Sequence, residues 1–177
     1  MTQRRPVVRF GHLELTFARG ELTKQVRDDI DQFWCGLFGW TTEDYPIFGQ
    51  NQHRLYADGQ MIAVTEADEP MTPPSQPVGL GPGETVFVPH LGLELESLEE
   101  LNRVLAESRR YQEKDSRVKI WDATEKRYPG VKGLHHAFLL MYILPIWFDV
   151  YAVDFDPGGE PPVRWRYGAS HPTEVPG

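Results

Sequence analysis

Gly11-His12-Leu13-Glu14-Leu15-Thr16-Phe17 returns later in the chain as His90-Leu91-Gly92-Leu93-Glu94-Leu95, with the two histidines 78 residues apart. Side chains alternate across a strand with a period of two. Read as strands, His12, Glu14 and Thr16 share one face and Leu13, Leu15 and Phe17 the other. In the second copy His90, Gly92 and Glu94 oppose Leu91, Leu93 and Leu95. Such a strand buries its apolar side against a helix and turns its polar side away. A spacing of nearly half the 177-residue chain marks a duplicated unit rather than a solenoid repeat, and two duplicated polar faces can meet in one concave site.

Working outward, Val7 to Phe17 reads as the first strand and Arg19 to Thr23 as a turn. Val26, Ile30, Phe33 and Leu37 then recur at the spacing of one helical face. Asp28, Asp29 and Asp31 fall near the helix start, where its dipole favours acids, and Gly39 stops it. Trp40 to Ile47, Gln52 to Ala57 and Gln60 to Glu66 supply three strands, the last two joined by the tight-turn pair Asp58-Gly59. Trp34, Phe38 and Trp40 read as helix-to-sheet core, and His53 has no assigned role.

A Pro- and Gly-rich stretch, 68–84, is read as a linker. Beyond it Thr85 to Leu95 is the next strand, and Ser97-Leu98-Glu99-Glu100 has the capping-box pattern of a helix running to about Tyr111. Arg117 to Thr124 is a strand, Tyr128-Pro129-Gly130 a turn, and two final strands lie between Leu134 and Phe155. The expected fold class is α+β: two paired βαβββ modules, 7–67 and 85–156, forming curled mixed sheets around a shared cavity. An irregular tail, 157–177, follows.

Composition narrows the function classes. Forty per cent hydrophobic and 12% aromatic residues are ample for a packed interior. The net charge of −8 argues against a nucleic-acid or anionic-membrane surface, which needs a basic stripe. The most apolar run, Ala137 to Phe148, is about 12 residues and is broken by Pro145, too short to span a bilayer. No secretory signal opens the chain, and the single cysteine, Cys35, forms no internal disulfide; a cytoplasmic location is expected. Cys35 reads as a small core residue. There is no Ser-His-Asp order, phosphate-cradling Gly loop, zinc-spaced Cys cluster or Rossmann fingerprint.

The arrangement resembles the vicinal oxygen chelate superfamily, which includes glyoxalases, bleomycin-resistance proteins, fosfomycin-resistance enzymes and extradiol dioxygenases. The likeness is carried by His12 in Gly-His-Leu-Glu-Leu and by the Phe33 to Trp40 helix end. Asp58-Gly59 and His90-Leu91-Gly92-Leu93-Glu94 followed by Leu98-Glu99-Glu100-Leu101 complete it. The resemblance implies one divalent metal between the modules, held by the first strand of each module and the last strand of the second. Carried over, the ligands are His12, His90 and, in Phe148-Asp149-Val150-Tyr151, Asp149. Asp149 departs from the usual Glu, and Ile143-Leu144-Pro145-Ile146 replaces the usual preceding turn.

Two imidazoles and a carboxylate on one face of an iron(II) ion leave positions for bidentate substrate oxygens and O₂. Fe(II) is therefore favoured, with Mn(II), Zn(II) or Ni(II) as alternatives. Glyoxalase-like members add a Glu on the fourth strand of the first module. Here Ala63 takes that place and Glu66 has the opposite parity, which favours extradiol-type ring cleavage of a small aromatic diol. A non-catalytic, bleomycin-resistance-like binder and a glyoxalase or isomerase-type lyase stay open, because a fold does not set its chemistry. Glu14 and Glu94 read either as partners orienting the imidazoles or as solvated residues. His135 and His136 open one strand with opposite faces; His136 is taken as cavity-facing acid or base because Phe138 and Tyr142 follow it. Tyr142 and Tyr151 are candidates for hydrogen bonding a substrate oxygen. A homodimer acting on a small molecule is the expected assembly.

Overall fold

The computed structural model describes residues 11–57, 60–73, 88–127 and 132–158. The Asp58-Gly59 and Tyr128-Pro129-Gly130 turns, strand residues 7–10 and 85–87, linker residues 74–84 and tail residues 159–177 lie outside them. The chain is α+β and divides into two compact units after Met71, within the stretch read as a linker.

In the first unit, strands β1 (His12–Ala18), β2 (Thr41–Ile47), β3 (Gln50–Ala57) and β4 (Gln60–Ala67) form a mixed sheet in the order β1-β4-β3-β2. The two outer-sequence strands, β1 and β4, run parallel, and the remaining pairs are antiparallel. Parallel neighbours need a crossover. It begins with helix α1 (Lys24–Ile30), started by Thr23, whose hydroxyl accepts the Val26 N–H at 3.3 Å. A π-helical turn, Asp31–Cys35, follows and runs into a last short turn, α2 (Gly36–Phe38). The wider π turn carries one more residue than an α turn, so Phe33 and Trp34 are both fully buried, packed edge to face with centroids 5.2 Å apart. Trp34, Phe38 and Trp40 stack on one another; Trp34 is buried, and Phe38 and Trp40 are half-buried. Burial pushes the Cys35 thiol up, with Asp31 adding to the effect. Gly39 ends the helix at φ 67°, a left-handed conformation that glycine adopts without steric penalty.

The second unit repeats the plan. Strands β5 (His90–Glu94), β6 (Lys119–Lys126), β7 (Gly133–Met141) and β8 (Trp147–Phe155) are ordered β5-β8-β7-β6, with β5 parallel to β8. Helix α3 (Leu98–Gln112) covers one face. Ser97 caps it, accepting the Glu100 N–H at 3.2 Å, while the Glu100 carboxylate pairs with Arg103 rather than visibly closing the capping box. Leu101 and Val104 of α3 are buried, as are Phe138, Leu140, Phe148, Val150 and Ala152 of the sheet. Strand β6 runs two residues beyond the expected Thr124, and its pairing with β7 shifts register between Trp121 and Thr124. Among the described residues no helix is long and apolar enough to cross a membrane.

Candidate metal centre

The parallel pair β5–β8 sets the geometry. Its register places His90 beside Trp147, Gly92 beside Asp149 and Glu94 beside Tyr151, all on the face opposite α3. Gly92 leaves room here: a Cβ would meet Tyr151 Cε1 at 3.3 Å. His90 Nε2 stands 4.0 Å from Asp149 Oδ2. His90 Nδ1 lies 2.8 Å from the Val88 carbonyl, which can only accept, so the proton belongs on Nδ1 and Nε2 keeps its lone pair. That is the tautomer of a metal-binding imidazole with its second nitrogen anchored. Burial pushes the Asp149 carboxyl above its ordinary value, and His90 and His135 pull it only partly back. Tyr151 donates to Glu94 Oε2 at 3.3 Å and stacks on His135, ring centroids 4.6 Å apart.

The equivalent face of the first sheet is already satisfied. Register places His12 beside Met61, Glu14 beside Ala63 and Thr16 beside Thr65. Glu14 Oε1 accepts from Thr65 Oγ1 at 2.8 Å and Gln52 Nε2 at 3.3 Å. Arg54 donates from Nε to Gln52 Oε1 at 2.6 Å and lies 3.7 Å above the Tyr45 ring. His12 stands exposed at the head of β1. Ala63 shares the row of Glu14, whereas Glu66 faces the helix side and accepts the Leu22 N–H at 2.9 Å, as the parity reading expected.

The structure therefore groups His90, Asp149 and Tyr151 on one face of the second sheet, and places His12 on the first. Two expectations need correction. His136 lies on the opposite face from Asp149, in the row of Phe138 and Leu140 beneath α3, facing Glu125 at 3.4 Å. Alternation separates His135 from His136 but does not say which side the helix covers, and Phe138 is core. Tyr142 lies beyond the end of β7, buried, donating to Asp115 Oδ2 at 2.9 Å and accepting from Arg117 at 3.1 Å. The strand period does not extend to it.

Sequence reading missed His135, which shares the Asp149 face, and the Gln52-Arg54-Thr65 network around Glu14. The alternation of Gln52, Arg54 and Tyr56 was the available signal for the latter. His53, given no role from the sequence, also has partners. It is buried in β3 on the helix side, with Nδ1 2.8 Å from Asp44 and Nε2 2.8 Å from Asp31. Among the described residues, no group of three His, Cys, Asp or Glu comes together to hold a metal. The second unit supplies a two-donor set, imidazole and carboxylate, whose chemistry fits a divalent ion.

Each unit is a four-stranded mixed sheet opened by a parallel first-to-last strand pair, and the chain has the glyoxalase fold. Among solved structures it is similar to a glyoxalase family protein from Bacillus anthracis, with TM-score 0.50 and 9% identity over 86% of this chain and 100% of that one. It is also similar to the fosfomycin resistance protein FosX from Listeria monocytogenes, in complex with Mn(II) and 1S,2S-dihydroxypropylphosphonic acid. There the TM-score is 0.50 and the identity 11%, over 82% of this chain and 93% of that one. A glyoxalase/bleomycin resistance protein/dioxygenase from Alicyclobacillus acidocaldarius gives TM-score 0.48 and 14% identity, over 89% and 98% of the two chains. No family model matches the sequence, and no curated protein matches it.

Proposed function

We propose that this protein is a metal-dependent enzyme, an extradiol-type ring-cleavage dioxygenase for a small aromatic diol, with His12, His90 and Asp149 as its metal ligands. The observation that carries the reading is the His90–Asp149 pair: an imidazole whose Nε2 lone pair faces a half-buried carboxylate 4.0 Å away. A desolvated carboxylate without a tight cationic partner is costly, and a bound cation removes that cost. An iron(II) ion would supply a centre for two vicinal substrate oxygens and O₂. The FosX complex, holding Mn(II) with a vicinal diol, illustrates that the fold accommodates such a combination.

The chain's own residues have the following roles in this proposal. His90, Asp149 and His12 would hold the ion. His135, in place of His136, is the acid or base, held by its stack on Tyr151. The Tyr151 hydroxyl, now donated to Glu94, hydrogen-bonds a substrate oxygen. Trp121 and Leu139, in the row of Asp149, give the site an apolar margin suited to an aromatic ring. Ala63 in the Glu14 row keeps a fourth protein ligand out. A cytoplasmic homodimer is part of the same reading, and solution mass measurement tests the assembly.

The deciding experiment is metal analysis of protein purified without chelator, with catechol turnover assayed after loading with each metal. One divalent ion per chain and activity with iron are expected, and both are lost in His12→Ala and His90→Ala. Full activity in metal-free protein would overturn the reading. Activity with nickel or zinc but none with iron would instead support a glyoxalase or isomerase. Unchanged ligand affinity in both alanine variants, without turnover, would support a binder.

A further inference from the structure

The α3-covered face of the second sheet holds an open groove of about 380 Å³, on the opposite side of that sheet from Asp149. Leu98, Leu101, Leu105 and Phe138 form its apolar wall, and β6, the edge strand of the sheet, borders it. Leu98 and Leu105 are only half-buried, so the wall leaves apolar surface uncovered. Glu125 stands at the rim, two-thirds exposed, and is the one carboxylate lining the groove. Among the described residues its polar contact is His136, whose Nδ1 is 3.4 Å from Oε1.

The described chain ends beside this groove. Strand β6 finishes at Lys126, and the next residue, Arg127, pairs through Nη1 with Asp156 Oδ2 at 2.8 Å. The Asp156 N–H also bonds the Lys132 carbonyl at 3.1 Å. Gly158 follows two residues later, so residues 159–177 start from the end of the sheet where Glu125 lies. Glu125 is two residues before Arg127, about 7 Å along a strand. Trp165 comes seven residues after Gly158, a reach of about 23 Å when extended, which is ample for the groove.

The chemistry of that segment matches the groove. In Pro161-Pro162-Val163-Arg164-Trp165-Arg166-Tyr167, apolar side chains alternate with two arginines, and no acid occurs from Pro161 to Thr173. In a chain of net charge −8 this is a cationic, aromatic run facing a rim whose full charge is negative. An indole N–H can only donate and a carboxylate can only accept.

We propose that Trp165 of the same chain seats in this groove, its ring on Leu101, Leu105 and Phe138 and its N–H donated to Glu125. Arg164 and Arg166 lie at the rim, where their long side chains keep the charge in water close to Glu125. The docked segment does not depend on the proposed metal centre, because alternation in β7 and β8 puts the two on opposite faces of one sheet.

The test uses trypsin, which cuts after Arg164 and Arg166. A docked segment is cut only when it opens, so the cleavage rate reads the open fraction. In limited digestion of the full chain followed by mass spectrometry, cleavage at these two sites should be about tenfold slower than in a free peptide of residues 161–173. Leu105→Asn should bring the rate up to that of the peptide. Glu125→Gln, at an exposed position, should raise it about threefold, as expected for a partly exposed charge contact. Asn102→Trp, on the exposed rim, should fill the groove and free the segment. If Leu105→Asn does not fold, the Glu125→Gln and Asn102→Trp results decide. A wild-type rate equal to that of the peptide, or slow cleavage unchanged in the groove variants, would overturn the proposal. Protection lost on hundredfold dilution would also overturn it, by placing the segment of a second copy in the groove.

Discussion

The two sheets have equivalent strand orders and the same parallel pairing of first and last strands, yet they treat their carboxylates in opposite ways. In the first, the acid is Glu14 on the opening strand, facing Ala63, and two neutral donors satisfy it. In the second, the acid is Asp149 on the closing strand, facing Gly92, and it is desolvated with imidazoles nearby. One scaffold thus holds a carboxylate bound by Thr65 and Gln52 and another half-buried beside His90. The helix-facing sides differ too. His53 of the first unit meets two aspartates, whereas His136 of the second meets one glutamate and has a buried nitrogen with no partner among the described residues. In both comparisons the second unit carries the less satisfied group.

The largest expected effect is at Asp149. Asp149→Asn should weaken divalent-metal binding by more than about 100-fold, beyond the loss typical of residues that merely support a ligand, as titration calorimetry would measure. The same variant should raise the Tm of the metal-free protein, because a neutral amide tolerates that burial better. A fall in Tm with unchanged metal affinity would make Asp149 structural, like Glu14. Next is His53→Leu, which leaves Asp31 and Asp44 without their shared partner and should destabilise the fold by about 2–3 kcal/mol in urea unfolding, with no effect on metal affinity.

A smaller effect concerns pH. The Arg117 guanidinium, helped by Tyr142, lowers the Asp115 carboxyl to about 2. Its folded value lies below its unfolded one, so its contribution is complete above about pH 4 and disappears as pH falls toward 2. Asp115→Asn should therefore cost roughly 1–2 kcal/mol at pH 6 and nothing below pH 2, read from unfolding midpoints across that window. The smallest effect is Thr65→Val, which removes one donor from Glu14. A loss of about 1 kcal/mol is expected, with the metal affinity of the second unit untouched. A change in that affinity would mean that Glu14 bears on the metal site.

Much of the architecture was legible. The apolar spacing of Ile30, Phe33 and Leu37 located the helix, and Ser97 located the start of α3. The parity of Ala63 and Glu66 followed from alternation, since a strand leaves no other choice. The π turn was not legible, because adding one residue to a helical turn leaves the polar and apolar pattern nearly unchanged while bringing Trp34 inward. Nor was the role of His53, whose partners lie 9 and 22 residues away in sequence.

The sequence by itself determined that two half-apolar strands open two equivalent units, that His135 and His136 face apart, and that His12 and His90 occupy matching places. These are consequences of local periodicity. Only the tertiary structure decided which face of β7 the helix covers, and so that His135 rather than His136 joins Asp149. It alone showed Glu14 bound by Thr65 and Gln52 while Asp149 is raised by burial. Desolvation and hydrogen-bond satisfaction depend on neighbours brought from distant parts of the chain, and no periodicity along one strand encodes them.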